Sequence, residues 1–380
     1  MVLPIYTYTV ADTRTGVTGD ELPLTGVKYS KILNGSGAFS GTLPLGSPEV
    51  QRLDPYELTT PAHQCIYVWR DGRPVWGGII WTRRYSKSSN AIEVQAGDFL
   101  SYFDRRKLLH PLTSEAYSDA LYVPGLSLSW AAVDQNQIMR ELIDNAQAHT
   151  GGDVDIAFDL TVNTGVFRDR TYYGYELVDV GEALRQLSTV IGGSDFRFDV
   201  DFPDSNGKVV RRLILGDPLL GQAGSPWVFE LGANILDYTW PSDGTRMATR
   251  TFAVGQGQEK DGPIAVAENL GRYVDGWPLL ESETSYSTVL ETSTLYAHAQ
   301  ADQELARLPV ALPTLVVRGD ADPAVTDYSP GDDARVIIRD DFFTGSGLDT
   351  RMRIVSIEVA PGEKSEEVTL TMSPMLEDVA

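Results

Sequence analysis

The stretch from Cys65 to Trp81, CIYVWRDGRPVWGGIIW, constrains the fold of this chain more than any other. Two apolar runs flank a polar corner that contains Asp71-Gly72, and this pattern predicts a tight hairpin because glycine adopts the required positive φ without strain. The Gly77-Gly78 pair in the second run predicts a bulge or a close approach of two backbones. Residues 92–96 then alternate between apolar and polar, as a third strand with one buried face would.

Composition places the chain among folded proteins and restricts its partners. Its 380 residues are 42% hydrophobic and 22% charged, enough for about two to four domains. With 53 acidic against 31 basic residues the net charge is −22, which argues against gripping a nucleic-acid backbone, since that needs clustered Lys and Arg. The single cysteine, Cys65, forbids an internal disulfide and is expected to be a small buried hydrophobe. No signal peptide and no membrane-spanning segment of about 18 apolar residues is expected.

Periodicity and turn signals predict a mainly β (α+β) chain in four segments. The predicted segments are a β domain at 1–108, an accessory segment at 109–165 with a helix near 134–150, an accessory α+β domain at 166–244, and a second β domain at 245–380. The last segment is expected to carry one covering helix near residues 292–308, whereas the first shows no obvious helix.

The two accessory helices have the clearest local signals. Asp134 is a good N-cap for a helix whose apolar stripe contains Ile138 and Leu142. Asp179 is placed to cap a second helix, whose apolar face contains Leu184.

The sequence shows no constellation that would carry catalysis or bind a metal. Four histidines are scattered without the spacing of a zinc site, and no Gly-x-Ser-x-Gly elbow is present. Glu281 and Glu283 are interpreted as solvated charges, because 53 acids always offer some pair that resembles a glycosidase dyad. The alternating acids from Asp153 to Asp159 lack the glycine and glutamate of an EF-hand loop. We therefore expect no enzyme activity, no cofactor and no metal site.

Several segments together resemble a known family. LPLTGVKYSKILNGSGAFSGTLPL (Leu22–Leu45), VWRDGRPVWGGIIW (Val68–Trp81) and GDFLSYFDRRKL (Gly97–Leu108) are similar to the opening of tail hub proteins from long-tailed bacteriophages of actinobacterial hosts. LPTLVVRGD (Leu312–Asp320) and YSPGDDARVII (Tyr328–Ile338) resemble the second barrel of that family. These minor tail proteins resemble in turn the baseplate hub of contractile-tailed phages and the base of the type VI secretion spike. The resemblance covers most of the chain as an order of segments, although no single motif is diagnostic.

The resemblance implies an architecture and a set of partners. It implies two tail-tube-like antiparallel β-barrels, one at each end of the chain, with the accessory domains inserted between them. It further implies a homotrimer of pseudo-sixfold symmetry that continues a hexameric tail tube at the tail tip of the virion, assembled in the host cytoplasm. The expected partners are the distal tail protein, the tape measure protein and tail fibre or receptor-binding proteins, with DNA only in transit. An acidic lumen suits that transit, because like charges repel.

Six residues in or beside the resembling segments are candidate contact residues. They are Arg73, Trp76, Trp81, Arg83, Arg84 and Tyr328. For the two arginines at 83 and 84, which form a small basic patch with Lys87, a solvated strand end is the simpler interpretation. Aromatic side chains in a β-rich chain fill cores and subunit contacts more often than they stack on sugars.

Other functions stay open at this point. The chain ends at Ala380, soon after its last predicted strand, and we expect no peptidoglycan-cleaving domain; a tail-associated cell-wall hydrolase is nevertheless one alternative. A distal tail protein with sixfold assembly is another, and a carbohydrate-binding adhesin of the tail tip is a third.

Overall fold

The computed structural model describes residues 4–111, 117–118, 121–122, 125–190, 192–222, 224–255, 262–286, 289, 292–307, 311–362 and 365–375. The chain divides into two compact units. The first contains Met1–Tyr238 together with Leu315–Ala380, and the second is Thr239–Thr314. This division differs from the four predicted segments, because residues 245–314 and 315–380 fall in different units. The predicted domain boundaries therefore stay predictions.

The N-terminal part of the first unit is an antiparallel sheet. Its strands are β1 (Tyr6–Asp12), β2 (Thr18–Glu21), β3 (Thr25–Ile32), β4 (Ala38–Pro44), β5 (Gln64–Arg70), β6 (Arg73–Ser86) and β7 (Ala91–Asp98), in the order β3-β4-β7-β6-β5-β1-β2. A 3₁₀ turn (Val50–Arg52) and the short helix α1 (Pro55–Leu58) lie between β4 and β5.

The predicted hairpin is confirmed as the β5–β6 pair. Asp71 and Gly72 have φ angles of 50° and 76°, as the turn requires, and Arg70 pairs with Arg73 across it. The Gly77-Gly78 pair marks a close approach: a Cβ on Gly78 would lie 2.2 Å from the carbonyl oxygen of Gly97. The register shift lies just before the pair, because Val68 pairs with Trp76 while Trp69 pairs with Pro74.

The accessory part of the first unit follows α2 (Leu100–Phe103). Its strands are β8 (Tyr117–Ser118), β9 (Leu121–Tyr122), β10 (Ser127–Asp134), β11 (Ile156–Phe158), β12 (Phe167–Tyr173), β13 (Phe196–Pro203) and β14 (Val209–Leu215); its helices are α3 (Gln135–Ala148) and α4 (Val180–Ser188), with a 3₁₀ turn at Gly174–Glu176. Both predicted helices are confirmed. Asp134 caps α3 by accepting a hydrogen bond from the backbone N–H of Asn136 at 2.9 Å. Asp179 occupies the N-cap position of α4, but its side chain makes no capping hydrogen bond. Its carboxylate instead forms an ion pair with Lys107 Nζ at 2.8 Å.

The C-terminal strands of the first unit extend the same sheet. They are β15 (Trp227–Glu230), β16 (Ile235–Thr239), β20 (Thr314–Arg318), β21 (Asp333–Ile338), β22 (Leu348–Pro361) and β23 (Glu366–Pro374). The strands between β16 and β20 in the chain are β17 (Arg250–Val254), β18 (Ile264–Glu268) and β19 (Glu281–Ser285), which belong to the other unit. The order β16-β20-β23-β22 continues into β3, while β21 pairs with β22 and β15 pairs with β21 in parallel. The mainly β, largely antiparallel fold class is thus confirmed. Within the described residues the sheet is continuous and no closed barrel is resolved, so the predicted pair of barrels is not confirmed.

The second unit is a small sheet covered by a helix. It contains β17 (Arg250–Val254), β18 (Ile264–Glu268), α5 (Leu270–Val274), β19 (Glu281–Ser285) and α6 (Thr292–Ala306), with β17 in the centre of the sheet. The inner face is built from small side chains, Ala253 and Ala265 among them, which lets α6 pack closely through Leu295. The covering helix predicted near 292–308 therefore exists, but it packs on this sheet; residue 308 lies outside the described residues.

Candidate functional site

The two ends of the chain meet at one strand pair, which we call the seam. Residues Tyr29–Ile32 of β3 pair with Ser356–Val359 of β22 in antiparallel register. The first half of β22 pairs instead with β21, so this single strand of 14 residues links the N-terminal and C-terminal strands into one sheet. Any assembly built on both ends of the chain depends on the geometry of the seam.

A buried ion pair joins the two ends beside the seam. Glu366, at the start of β23, has a side chain only 1% exposed and accepts hydrogen bonds from Arg70 Nε at 2.8 Å and Nη2 at 2.9 Å. The hydroxyl of Tyr6 donates to the same carboxylate, and burial raises the pKa of that hydroxyl well above its usual value. Charge-assisted bidentate pairs are the strongest of protein hydrogen bonds, so Glu366 holds β23 against β1 and β5.

A second charged cluster lies on the inner face of the seam. Asp199 of β13 accepts from Lys31 Nζ at 2.8 Å and from Arg197 Nε at 3.2 Å. Burial acts to raise the pKa of Asp199, but the two cations outweigh burial and the pKa lies below its usual value. This cluster ties the accessory part of the first unit to β3.

Three of the six predicted contact residues lie near the seam. Arg73 is exposed at the hairpin turn, and it lines a cavity on the inner face of the seam together with Tyr328. Trp76 is 3% exposed, stacks on Phe39 and donates its indole N–H to the Ser30 carbonyl oxygen at 2.9 Å. Tyr328 is also 3% exposed. The positions of Trp76 and Tyr328 in the core do not support direct contact with a partner, whereas Arg73 stays a candidate.

The other three predicted contact residues lie farther along β6. Trp81 is partly buried, donates its indole N–H to Ser101 Oγ at 2.7 Å, and lies 4.3 Å under the Arg105 guanidinium. Arg83 lies 4.0 Å over the Tyr56 ring and donates to its carbonyl oxygen. Arg84 is exposed opposite Glu93 of β7. Of these three, Arg84 offers the most accessible charge to a partner.

Sequence reasoning missed the residue that anchors the accessory strands. Arg211 of β14 is 1% exposed; its guanidinium donates to the carbonyl oxygens of Thr13 and Val154 at 2.7 Å and to the Tyr67 hydroxyl at 2.8 Å. It also donates to Cys65 Sγ at 3.3 Å, and burial raises the pKa of that thiol. The signal was in the strand pattern, because residue 211 is in phase with the buried apolar positions 209, 213 and 215.

Asp195 and Asn34 make another link that the sequence did not reveal. Asn34, in the β3–β4 turn, donates to Asp195 at 2.8 Å and accepts from the Phe196 backbone N–H at 2.7 Å. Asp195 also forms an ion pair with Arg353 of β22, which donates to the Leu220 carbonyl oxygen at 2.7 Å. These bonds fix the accessory part against both ends of the chain.

The described residues offer no candidate metal centre. Among them no group of three or more His, Cys, Asp or Glu side chains could hold a metal ion. His149 bonds to the Leu109 carbonyl oxygen at 3.1 Å, and His298 stacks on Tyr286 at 4.2 Å. None of the helices in the described part of the chain is long and apolar enough to cross a membrane. The features that remain are structural anchors, a seam and exposed side chains.

Comparison with solved structures finds the same fold in tail proteins. The 43 kDa tail protein of prophage MuSo2 from Shewanella oneidensis is 12% identical, with a TM-score of 0.63 over 97% of this chain and 98% of that chain. The tail protein from Neisseria meningitidis MC58 is 14% identical, with a TM-score of 0.59 over 97% and 96%. A chain of the Francisella PdpA–VgrG complex in its lidded form is 8% identical, with a TM-score of 0.55 over 99% of this chain and 53% of that one. No family model and no curated protein matches the sequence.

Proposed function

Because this chain shares the fold of phage tail proteins over nearly its whole length, we propose that it is a structural protein of a phage tail. The single observation that carries the proposal is the extent of the similarity: it covers 97% of this chain and 98% of the prophage MuSo2 tail protein. A likeness confined to one domain would leave the rest of the chain free for another function. At 12% identity the likeness shows the fold, and the role in the virion is our inference from it.

Within the tail we propose the role of a trimeric hub. In this role three chains form a collar at the distal end of the tail tube, with tube-like β-barrels built from the strands at the two ends of each chain. The seam supports this proposal because it holds both ends of the chain in one continuous sheet. A subunit that contributes two similar wall segments to a ring requires such a connection. The proposed partners are the distal tail protein, the tape measure protein, and tail fibre or receptor-binding proteins.

We propose that DNA passes through this collar without being bound. The net charge of −22 supports passage without adhesion, because an acidic wall repels the phosphate backbone. The collar would act in the virion without enzymatic activity, as adaptor between the tail tube and the tail tip.

The mass of the assembly in solution tests the hub role. Native mass spectrometry of the full chain of 41.7 kDa is expected to find three copies. Six copies would favour a distal tail protein and one copy would favour an adhesin, and either result would reject the trimeric hub.

A pair of variants then tests the proposed contact at β6. Arg84→Gln removes an exposed charge opposite Glu93 and is expected to lower the trimer fraction at low protein concentration. Arg339→Gln removes another exposed arginine, in the loop after β21, and serves as the matched control. Equal trimer fractions in both variants would remove Arg84 from the list of contact residues without affecting the hub proposal.

A further inference from the structure

A cavity of about 170 Å³ opens on the inner face of the seam. It lies between the β5–β6 turn, β3, β13, β22 and the segment 325–329. Of its lining side chains Arg73 and Thr326 are exposed, whereas Tyr29 and Tyr328 are buried, so the cavity extends from the surface into the core of the unit. The volume is enough for several water molecules or one small ion.

The charges that line this cavity do not balance. Lys31, Arg73 and Arg197 contribute three positive charges, and Asp199 contributes the one carboxylate in the lining. Asp199 is shared between Lys31 and Arg197, which each contact it once. The backbone of Arg73 pairs with Arg70 across the turn, but its side chain makes no hydrogen bond or ion pair with any residue that the structure describes.

The excess of cations is unusual in this chain. The whole protein carries 53 acids against 31 bases, yet this cavity concentrates cations. Lys31 and Arg197 share the one carboxylate of Asp199, and an anion that accepts hydrogen bonds from these cations and from Arg73 would supply further counter-charge. Lys31 has three donor hydrogens and uses one on Asp199, so its ammonium group can serve a second acceptor.

Tyr328 also lines the cavity, and its buried hydroxyl finds no hydrogen-bond partner within the described part of the chain. Burial and, after it, the carboxylates of Glu366 and Asp327 raise the pKa of this hydroxyl, and neither carboxylate lines the cavity. An anion in the cavity is therefore favoured by the three cations rather than by Tyr328.

We propose that this cavity is an oxyanion site, in which Lys31, Arg73 and Arg197 bind one phosphate or carboxylate group. A free phosphate ion is one source of that chemistry, and a carboxylate side chain inserted by a partner protein is another. Arg73 at the surface gives the site its selectivity for oxyanions, because its planar guanidinium can donate two parallel hydrogen bonds to an oxyanion. A site of this kind beside the seam would couple anion binding to the stability of the sheet that joins the two ends of the chain.

Thermal unfolding of the full chain at pH 7 tests the proposal. Sodium phosphate and, in a second arm, sodium acetate are titrated against sodium chloride at equal ionic strength. We expect a saturable rise in Tm of the wild-type protein, since a ligand that binds only the folded state stabilises it by mass action. A rise with both salts identifies a site that accepts carboxylates, and a rise with phosphate alone identifies a phosphate site. A rise with neither salt overturns the proposal.

Variants separate binding from general salt effects. Arg73→Gln changes an exposed residue beside the turn, so we expect the fold to stay intact. We expect it to weaken the apparent affinity for phosphate about tenfold, the effect of one lost charge-assisted bond. Lys31→Met is expected to abolish the saturable rise. Arg339→Gln removes an exposed arginine outside the cavity lining and should respond like wild type. An identical rise in the Arg73→Gln and Arg339→Gln variants would show that phosphate acts on the protein surface in general, which also overturns the proposal.

Discussion

Replacing Arg70 by methionine isolates the contribution of the buried pair that joins the two ends of the chain. The substitution leaves Glu366 with a side chain that is 1% exposed and with Tyr6 as its remaining side-chain donor. Leaving one member of a buried ion pair without its partner costs about 3–5 kcal/mol. The methionine side chain fills much of the space of the arginine stem, so a cavity adds little to that cost.

The expected loss is large enough to measure by urea unfolding, followed through tryptophan fluorescence because Trp69 precedes Arg70 on β5 and Trp76 lies on the neighbouring strand β6. With a slope of about 3 kcal/mol per molar urea, the midpoint should fall by about 1–2 M. The double variant Arg70→Met/Glu366→Met should recover most of this loss, since replacing both partners of a buried pair by apolar groups is often close to neutral.

The chain offers a matched control for this experiment in the Arg335–Asp349 pair. That pair is also bidentate, with Nε–Oδ1 at 2.8 Å and Nη2–Oδ2 at 2.6 Å, and it also joins two neighbouring strand segments. Its side chains are 48% and 43% exposed, so water replaces the lost bonds and Arg335→Met should leave the midpoint almost unchanged. Equal midpoint shifts for Arg70→Met and Arg335→Met would refute the reasoning that burial, rather than bond geometry, decides the cost.

Three further predictions concern single positions of the first unit. Burial raises the pKa of Asp98 to about 7, above its unfolded value of 3.8, so ionisation of this carboxyl opposes folding. The free energy of unfolding should therefore fall by on the order of 4 kcal/mol as pH rises from 4 to 8. Calorimetry of the Asp98→Asn variant should find that this pH dependence is lost, and an unchanged pH dependence would contradict the prediction. Gly78→Ala places a Cβ 2.2 Å from the Gly97 carbonyl oxygen and should lower the free energy of unfolding in urea by about 1–3 kcal/mol. Gly72→Asn changes a position in open space, with a φ that asparagine tolerates, and should lower it less. Arg211→Met leaves two buried carbonyl oxygens and a hydroxyl without their donor, at about 1–3 kcal/mol each, and should increase amide hydrogen exchange in β14; unchanged exchange there would rule out an anchoring role.

Local features of the fold were accessible from the sequence, because they depend on a few adjacent residues. The Asp71-Gly72 turn, the N-cap at Asp134 and the helix predicted near 292–308 each follow from backbone preferences that neighbouring side chains determine. The pairing of β3 with β22 joins residues more than 300 positions apart, and an alternating pattern states which face of a strand is buried but not which strand lies beside it. For the same reason the pattern supports a β domain at each end but cannot tell two closed sheets from one continuous sheet.

The candidate site was harder to predict, because the type of a residue does not determine whether its side chain is buried or exposed. Trp76 was expected at a contact with a partner, but an indole N–H that finds a backbone acceptor allows the ring to lie in the core. Arg73, the residue directly after the Asp71-Gly72 turn, is exposed because it lies at the end of the hairpin. Arg211 was overlooked, since a charged residue in a strand is normally assigned to the solvent face.

Arg211 and Glu366 show why two charges lie on faces that are otherwise apolar. Glu366 is in phase with Val368, Leu370 and Met372, all buried on one face of β23. A slip of one residue would move Glu366 to the solvent face and leave Arg70 buried without its carboxylate, in addition to exposing the three apolar side chains. The same slip in β14 would remove Arg211 from every one of its acceptors. Apolar residues at these positions could give similar stability, but a mispaired register would then cost less. Buried charges therefore penalise wrong pairings where strands distant in sequence must meet, and the proposed collar depends on that selection because its wall needs both ends of each chain in a single register.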